Sequence, residues 1–375
     1  MRRRKNLALA LAISTSLLAA PAVSATAATA ATPRCDTRPL QSALNSLRGA
    51  GASGISVAIE SPRCGAWKGG VGLADLRTGR PVTGDEHSRI ASDTKAWVAT
   101  VVLQLTAEGR IRLDDSVDHY LPGLVRSRHY DGRRITVRRL LQHTSGLPDY
   151  LDAPYWEDET AHRWEHFEPL WTVRQALELP PPTDRPASGF SYSNTNYNLL
   201  GLIVTEVTGH SVATEIQRRI TGPLGLRHTS WPGDRTTLPS PDLRAYVERG
   251  GRLRDWTDWN VSGSDASGAL VSTAADVTVF WTALMGGRLL PPAQLAEMKR
   301  TVPDGEGGRY GLGVERYERK GLVTWGHSGF METGHKLRNA VTGNGSRSVT
   351  LLVGSEEFDE DRVDAALGRL IRDLR

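Results

Sequence analysis

Residues 90–96, Ile-Ala-Ser-Asp-Thr-Lys-Ala, place Ser92 three positions before Lys95. The apolar stretch that follows predicts a helix over residues 92–108, which Gly109 ends. At this spacing the two side chains lie on one face of the helix, one turn apart. A serine hydroxyl needs a nearby base to become a nucleophile, and a lysine in a dry site can lose its proton and serve. An ordinary helix start, with Ser92 as a cap and Lys95 in solvent, fits the same residues.

A second polar stretch lies about a hundred residues later. Residues 190–197 (FSYSNTNY) place Tyr192 and Asn194 two positions apart, so that in an extended loop both side chains point the same way. A tyrosine can relay a proton, and an asparagine amide can hold a substrate carbonyl or amide. Taken alone, the stretch also fits a polar loop that caps the following helix.

A third stretch, residues 325–330 (WGHSGF), stands where a strand is expected near the end of the chain. His327 and Ser328 offer polar side chains, and the strand backbone offers N–H donors. Glycine at position 329 permits another backbone segment to approach closely. A turn with a surface histidine is the alternative interpretation of these residues.

The remaining pattern predicts a sheet built from both ends of the chain and a helical block between them. Helices are predicted at residues 36–48 and at the C-terminus, and strands at residues 54–62, 65–73, 321–326, 334–342 and 347–354. The simplest assembly is one domain, residues 36–375. Its α/β region comprises residues 36–91 and 266–375, and an all-α region, residues 92–265, is inserted between them, with a cleft where the two meet.

Together the three stretches have the order and broad spacing of the Ser-x-x-Lys, Tyr-x-Asn and His-x-Gly motifs of penicillin-recognising serine enzymes. From about residue 40 onward the chain resembles the serine D-alanyl-D-alanine carboxypeptidases and class C β-lactamases, with their esterase relatives. Residues 109–115 (GRIRLDD) and 140–147 (LLQHTSGL) share in this resemblance. It implies a β-lactamase/transpeptidase-like fold, with an antiparallel sheet, flanking N- and C-terminal helices and a helical insert.

The resemblance also implies catalytic roles for the first two motifs. Ser92 would be the nucleophile, and Lys95 its base or the group that tunes the base. Tyr192 would carry the proton to the leaving group and later activate water. Asn194 would hold the amide on the acyl side of the substrate.

The third motif would bind substrate. The resemblance implies that His327 and Ser328 face a substrate carboxylate and that Gly329 belongs to the same binding strand. The oxyanion hole would be the backbone N–H groups of Ser92 and Phe330, and losing one such donor typically lowers the rate by about 10²–10³.

One residue departs from this pattern. Asp93 follows the nucleophile at a position where many relatives have an apolar residue. A carboxylate pointing inward could raise the pKa of Lys95, but we expect the side chain to point outward.

The N-terminus has the layout of a secretory signal peptide. Basic residues 2–5 precede an apolar stretch, residues 7–20, and small residues that allow cleavage near position 30. We therefore expect residues 1–30 to be removed and the protein to be secreted; an uncleaved N-terminal anchor is the alternative. Removing the four basic residues brings the formal net charge from +4 to about zero. No basic field then remains for nucleic acid, and the mature chain is expected to lack a membrane span.

Export also bears on the two cysteines, Cys35 and Cys64. A disulfide is expected in an exported protein, and an antiparallel helix and strand over residues 36–48 and 54–62 would bring both cysteines to the same end. Two separate buried or reactive thiols are the alternative.

These observations predict a secreted serine D-alanyl-D-alanine carboxypeptidase. It would act on peptidoglycan stem peptides through an acyl-enzyme on Ser92, with β-lactams as covalent inhibitors. The resemblance favours a peptidase over a β-lactamase, because His327 stands where most β-lactamases have lysine. The alternatives are an esterase or other D-amino-acid peptidase, a class C-like β-lactamase, and a non-catalytic penicillin-binding sensor. We expect a monomer without a cofactor or metal, although residues 162–166 (HRWEH) match a zinc-protease pattern.

Overall fold

The structure is a computed structural model that describes residues 36–183, 189–319 and 321–373. Its α-helices are α1 Arg38–Arg48, α2 Thr94–Ala107, α3 Val117–Tyr120, α4 Val137–Leu141, α5 Pro169–Glu178, α6 Asn194–Thr208, α7 Val212–Ile216, α8 Gly222–Leu224, α9 Asp265–Gly268, α10 Ala274–Met285, α11 Pro292–Met298 and α12 Glu360–Asp373. Short 3-10 turns lie at Ala91–Asp93, Gly132–Arg134, Tyr150–Asp152, Pro154–Trp156 and Glu159–His162, and a π-helical turn at Gln217–Thr221.

The strands, in chain order, are β1 Gly54–Ser61, β2 Gly65–Asp75, β3 Arg80–Pro81, β4 His87–Arg89, β5 Tyr246–Glu248, β6 Leu253–Asp255, β7 Val271–Thr273, β8 Val302–Pro303, β9 Arg309–Tyr310, β10 Glu315–Arg319, β11 Leu322–Gly326, β12 Gly329–Phe330, β13 Lys336–Thr342 and β14 Ser348–Val353. Ten of them form one sheet in the order β3-β2-β1-β14-β13-β11-β10-β9-β8, with β12 beside β13. The pairs β4–β7 and β5–β6 form separate two-stranded sheets.

The centre of the large sheet joins the two ends of the chain. β1 pairs antiparallel with β14, from Ile55 opposite Val353 to Glu60 opposite Ser348, and pairs with β2 along its other edge. Every residue of β14 is buried, so both faces of this strand are covered. Strands buried on both faces are largely apolar, and four of the six residues of β14 are valine or leucine.

Helices cover the two faces of the sheet. On one face, alternate residues Ile55, Val57 and Ile59 of β1 pack in one cluster with apolar side chains of α1 and α12, among them Leu44 and Leu367. On the other face, Ala58 belongs to the main core, which contains α2, α6 and α10. An antiparallel sheet flanked by terminal helices, with a helical segment between the chain ends, confirms the predicted fold class.

Helix α2 lies inside the core rather than on the surface. From Ala96 to Leu105 it is almost entirely buried, and apolar residues occur on all its sides. A helix that is apolar all round must be surrounded by protein. The prediction that this helix begins at Ser92 is wrong by two residues, because Ala91–Asp93 forms a 3-10 turn and the α-helix begins at Thr94.

The described residues do not test several predictions about the organisation of the chain. The signal peptide, residues 1–30, and Cys35 lie outside the described residues. Cys64 is half-buried at the turn between β1 and β2, and the disulfide stays a prediction. The division of the domain at residues 91 and 266 also stays a prediction. The expectation that residues 92–265 are all-α is wrong, because strands β5 and β6 lie among them. Among the described residues, no helix is both long and apolar enough to cross a membrane.

We expect Leu367→Ala in α12 to lower the free energy of unfolding by about 2–5 kcal/mol, because it leaves a cavity beside β1 and β14. The matched control is Leu253→Ala, since Leu253 is 62% exposed on β6 and should change stability by less than about 0.5 kcal/mol. Urea unfolding followed by circular dichroism measures both. Equal losses in the two variants would contradict the assignment of α12 to the core.

Candidate active site

The turn that carries Ser92 connects β4 to α2. Ala91 has a φ of 49°, in the left-handed region that non-glycine residues rarely occupy. Strained backbone of this kind persists only where the surroundings hold it, and it is concentrated at functional sites. The turn leaves Ser92 partly exposed at the start of a buried helix. Its hydroxyl therefore reaches the cleft while its backbone is fixed.

Lys95 is fully buried, and its Nζ contacts three oxygen atoms. These are Ser92 Oγ at 3.0 Å, Asn194 Oδ1 at 2.8 Å and the Ser267 carbonyl oxygen at 2.8 Å. The two oxygens of Asn194 and Ser267 can only accept hydrogen bonds. A neutral amine therefore donates its two protons to them and directs its lone pair at the Ser92 hydroxyl. This geometry excludes the solvent-exposed Lys95 of an ordinary helix start.

Burial lowers the pKa of Lys95 to about 7, although the carboxylates of Asp149 and Glu315 act in the opposite direction. Desolvation penalises the ammonium form, because the site offers it no water. Near neutral pH a large fraction of the amine is therefore unprotonated. Lys95 can then accept the proton of Ser92.

Asn194 is oriented by a carboxylate that sequence reasoning missed. Asp149 Oδ2 accepts hydrogen bonds from the Asn194 side-chain Nδ2 at 2.8 Å and from its backbone N at 2.9 Å. The carboxylate can only accept from the amide nitrogen, so Asn194 Oδ1 must face Lys95. Asp149 lies two residues after the recognised stretch, residues 140–147, and nothing in the sequence tied it to Asn194.

Tyr192 lies in the cleft and remains 37% exposed. Burial of its hydroxyl raises the pKa well above the ordinary value, and a hydrogen bond with Ser92 acts in the opposite direction. The ring stacks on His143, with 4.2 Å between centroids, and Lys95 Nζ lies 4.9 Å from the Tyr192 centroid. Ser92, Lys95 and Tyr192 thus meet, with a neutral phenol that can pass a proton on.

His143 is a second residue that sequence reasoning missed. It is buried, and burial lowers its pKa well below the ordinary range. Its Nδ1 accepts hydrogen bonds from Ser193 N at 3.1 Å and from Asn196 Nδ2 at 3.2 Å, which fixes the ring plane behind Tyr192. A neutral imidazole with Nδ1 as acceptor follows from these donors.

The third motif reaches the same turn through its backbone. A Cβ atom added to Gly329 would lie 2.5 Å from the Ile90 carbonyl oxygen, so only glycine allows this approach. This confirms the expected close backbone contact. β12 pairs with β13, with Phe330 opposite Lys336. The Phe330 backbone is thereby brought beside the Ser92 turn, where the predicted oxyanion hole would lie.

The two side chains of this motif face other protein groups. His327 is 1% exposed, its Nε2 lies 2.9 Å from the Tyr310 hydroxyl, and burial lowers its pKa despite the nearby Glu315 carboxylate. Ser328 donates from Oγ to Glu315 Oε1 at 3.0 Å and from N to Oε2 at 2.9 Å. Glu315 had no signal in the sequence, because the β10–β11 pairing places it opposite Gly326.

The expectation for Asp93 was wrong. The side chain is fully buried and accepts hydrogen bonds from Trp97, Trp281 and Asn339, so it points into the core. The first turn of a helix that is surrounded by protein has no outward side. Its carboxylate is separate from the Lys95 cluster, with which it shares no hydrogen bond.

These groups border a cleft of about 1230 Å³. Ser92, Tyr192 and Asn194 line it together with Ser328 and Phe330. Lys95, His327 and Gly329 lie behind this lining. The cleft thus exposes a serine hydroxyl, a phenol and an amide, while the Lys95 amine is held out of solvent.

Residues 162–166 form no comparable centre. His162 pairs with Glu165, and His166 pairs with Asp234 and Glu168. Within the described ranges, no three histidine, cysteine or acidic side chains are placed to hold a metal ion.

Residues 41–372 match the sequence profile of the β-lactamase family. The chain belongs to the β-lactamase family of serine hydrolases. It is 30% identical to penicillin-binding protein 4 of Amycolatopsis lactamdurans over 80% of this chain and 81% of that protein. By contrast, the match to protein flp of Staphylococcus aureus spans only 27% of that protein's length.

Two solved structures of amide-hydrolysing enzymes are similar to this chain over most of its length. A D-stereospecific amidohydrolase from Streptomyces sp. is 36% identical, with a TM-score of 0.80, covering 88% of this chain and 98% of that one. The D-amino acid amidase of Ochrobactrum anthropi SV3 is 27% identical, with a TM-score of 0.78 and coverage of 89% and 98%.

We expect the rate of Ser92 acylation by a neutral ester to rise as the pH passes through about 7, because only unprotonated Lys95 can accept the proton. Tyr192 adds no change below pH 10, since its pKa lies well above that value. The burst of p-nitrophenol from p-nitrophenyl acetate, read at the isosbestic wavelength, measures this rate. Lys95→Arg keeps its charge and should be inactive at every pH; a flat parental profile would argue against Lys95 as the base.

We expect Gly329→Ala to lower the acylation rate by about 10²–10³, because its Cβ would push β12 away from the Ser92 turn. The control is Gly343→Ala, whose Cβ meets only Trp325 at 3.5 Å and should leave the rate unchanged. The same burst assay compares them, with circular dichroism as a check on folding. Parental acylation in Gly329→Ala would show that β12 supplies no oxyanion donor.

Proposed function

We propose that this protein hydrolyses amides or esters of D-amino acids that carry a free α-ammonium group, through an acyl-enzyme on Ser92. The observation that carries the proposal is the charge of the cleft. Carboxylates line it near the reaction centre, whereas the third motif offers no cation there. This distribution favours a substrate with a positive group over one with a free C-terminal carboxylate.

The environment of His327 argues against carboxylate binding. Burial keeps the imidazole neutral, and Tyr310 and the Ser328 carbonyl occupy the surroundings of its two ring nitrogens. Ser328 already donates to Glu315. A substrate carboxylate beside Ser328 would therefore meet a second negative charge instead of a cation.

Glu332 supplies a charge of the kind that an ammonium group needs. It lines the cleft two residues after Phe330 and also borders a small side pocket with Trp156 and Trp259. Its carboxylate has no hydrogen-bond or ion-pair partner among the other described residues. Burial raises its pKa, and Asp149 adds to the effect. A substrate ammonium would compensate this partly buried charge, and aromatic faces nearby favour organic cations.

The arginines of the cleft are directed to other partners. Arg309 donates to the side chain and carbonyl of Thr301, and Arg316 lies 3.9 Å from Glu318. Thr301 therefore engages the Arg309 guanidinium, and Glu318 balances the charge of Arg316. Asp304 and Glu306 add further carboxylates to the lining.

The proposed reaction follows from the positions of these groups. Ser92 Oγ attacks the substrate carbonyl carbon while its proton moves to Lys95 Nζ. The backbone N–H groups of Ser92 and Phe330 stabilise the oxyanion. Tyr192 passes a proton to the leaving amine or alcohol as its bond to the carbonyl carbon breaks. Water then attacks the acyl-enzyme, gives up a proton along the same route, and releases the amino acid and Ser92.

The names of the Streptomyces and Ochrobactrum relatives support both the amide bond and the D configuration. A carboxypeptidase is the second candidate, since a penicillin-binding protein is similar over four-fifths of the chain. Secretion, with removal of residues 1–30, and covalent binding of β-lactams remain part of the proposal.

We expect D-phenylalanine amide to be hydrolysed, with a kcat/KM at least about 100-fold above those of its L enantiomer and of N-acetyl-D-phenylalanine amide. Acetylation removes the charge that the acidic cleft would hold. The comparison substrate is diacetyl-lysyl-D-alanyl-D-alanine, which has a free carboxylate and no ammonium. Ammonia and D-alanine release measure the reactions, and faster turnover of the tripeptide would favour the carboxypeptidase instead.

We expect Glu332→Gln to raise KM for D-phenylalanine amide by about tenfold or more and to leave acylation by p-nitrophenyl acetate within about twofold of the parent. The neutral ester has no ammonium group to lose. Glu206→Gln is the matched control, since Glu206 is exposed on α6 and removes the same charge outside the cleft lining. An unchanged KM in Glu332→Gln would refute its role in amine binding.

A further inference from the structure

Asp93 is a buried carboxylate whose three side-chain partners are all N–H donors. Oδ2 accepts from Trp97 Nε1 at 3.0 Å, and Oδ1 accepts from Trp281 Nε1 at 2.9 Å and from Asn339 Nδ2 at 2.7 Å. Indole and amide N–H groups cannot accept a proton from a carboxylic acid. The donor set therefore matches the ionised form, although burial raises the pKa of Asp93 to about 7.

The three donors come from three elements that meet beneath the Ser92 turn. Trp97 belongs to α2, Trp281 to α10 and Asn339 to β13. Asp93 follows the nucleophile directly, so these bonds tie the turn to the sheet. Buried polar groups that are fully satisfied in this way fix one arrangement of the elements around them.

Asn339 extends the connection to the other side of the cleft. β11 and β12 pair with β13 in one register, with Trp325 opposite Val341 and Gly329 opposite Leu337. The ladder is interrupted between these pairs, where His327 stands opposite Asn339. The Asn339 side-chain Oδ1 accepts the His327 backbone N–H at 2.9 Å and bridges the gap.

The neighbouring glycine shows how closely the bridge fits. A Cβ atom on Gly326 would lie 2.2 Å from Asn339 Oδ1. The amide thus sits against the backbone of the segment that leads to Phe330. Its orientation is fixed, since Nδ2 faces the Asp93 carboxylate and Oδ1 faces the His327 N–H.

We propose that Asp93 is a positioning residue for the oxyanion hole. Its carboxylate holds the Asn339 amide, and Asn339 holds the backbone of His327, three residues before Phe330. The chain of hydrogen bonds sets the distance between the Ser92 N–H and the Phe330 N–H across the cleft. Asp93 itself contacts no substrate. The inference concerns the acylation machinery and stands whether or not the substrate is a D-amino-acid amide.

Two variants interrupt this chain at different points. Asp93→Asn keeps one acceptor oxygen but turns an amide N–H toward either Trp97 or the pair of Trp281 and Asn339. Asn339→Leu removes the bridge at similar volume. Trp97→Phe is the control, because it deletes one hydrogen bond to Asp93 but leaves the Asn339 link intact, and its ring can still stack on Phe280. All three variants perturb the same buried region, so a purely structural role would affect them alike.

The measurement compares a transition-state analogue with a ground-state ligand. An arylboronic acid forms a tetrahedral adduct on Ser92, and an oxygen of this adduct occupies the oxyanion hole. Acetate, the acyl product of p-nitrophenyl acetate hydrolysis, binds without forming such an adduct. We expect Asp93→Asn and Asn339→Leu each to weaken boronate binding and slow p-nitrophenyl acetate acylation by about 10–100-fold. Product inhibition should change less than about twofold, and Trp97→Phe should retain parental boronate affinity.

The double variant Asp93→Asn/Asn339→Leu separates one chain of interactions from two independent ones. Because both residues act through the same bridge, the double variant should lose no more boronate affinity than the more damaging single variant. The proposal is overturned if the losses of the two single variants multiply in the double variant. It is also overturned if boronate affinity stays parental in the single variants, or if it falls equally in Trp97→Phe. If Asp93→Asn does not fold, Asn339→Leu with the Trp97→Phe control decides between the same outcomes.

Discussion

The buried amine of Lys95 is the constraint on which the site depends. Removing an ammonium group from water is costly, so the amine persists there only with a lowered pKa and with oxygen acceptors in place. The acceptors are Asn194 in α6 and the Ser267 carbonyl oxygen in α9, and the Ser92 hydroxyl in the turn before α2 faces the lone pair of the amine. Three segments distant in sequence must converge to within hydrogen-bond distance of one atom. Asn194 lies in the helical stretch between the two chain ends that build the sheet, so this stretch contributes directly to the surroundings of Lys95.

The large sheet also contacts the turn that carries Ser92, through strand β12. Gly329 brings β12 against Ile90, and Asn339 fills the interruption between β11 and β12. If helices alone held the turn at Ser92, nothing would fix the position of the backbone N–H groups of β12 relative to it. The contact at Gly329 sets how near the strand comes, and the hydrogen bonds through Asp93 set where along the turn it meets. Preorganisation of this kind matters because an oxyanion donor acts only at the right distance.

Local spacing made part of this site predictable from sequence. Ser92 and Lys95 are one turn apart, and a glycine in a strand indicates close approach, so both could be placed without a fold. Asp149 and Glu315 could not, because a loop and a strand register bring them to Asn194 and Ser328. The sheet and terminal helices followed from apolar periodicity. The error at Asp93 arose because its motif was considered without the helix after it, whose apolar residues on every side leave no outward direction.

The third motif shows why a motif and a substrate preference are separate properties. β12 serves the reaction through its backbone, which approaches Ser92 whatever the histidine two residues earlier does. The imidazole of His327 is buried against Tyr310 and neutral, so it contributes packing rather than charge. The electrostatic character of the cleft then depends on residues outside the motif, Glu315 and Glu332, which reach it from a neighbouring strand and from the loop after β12. Under the proposed function, changing Glu332 would alter which charge a substrate can carry, whereas Glu315 also accepts the Ser328 backbone N–H and so helps to hold the segment that leads to Phe330.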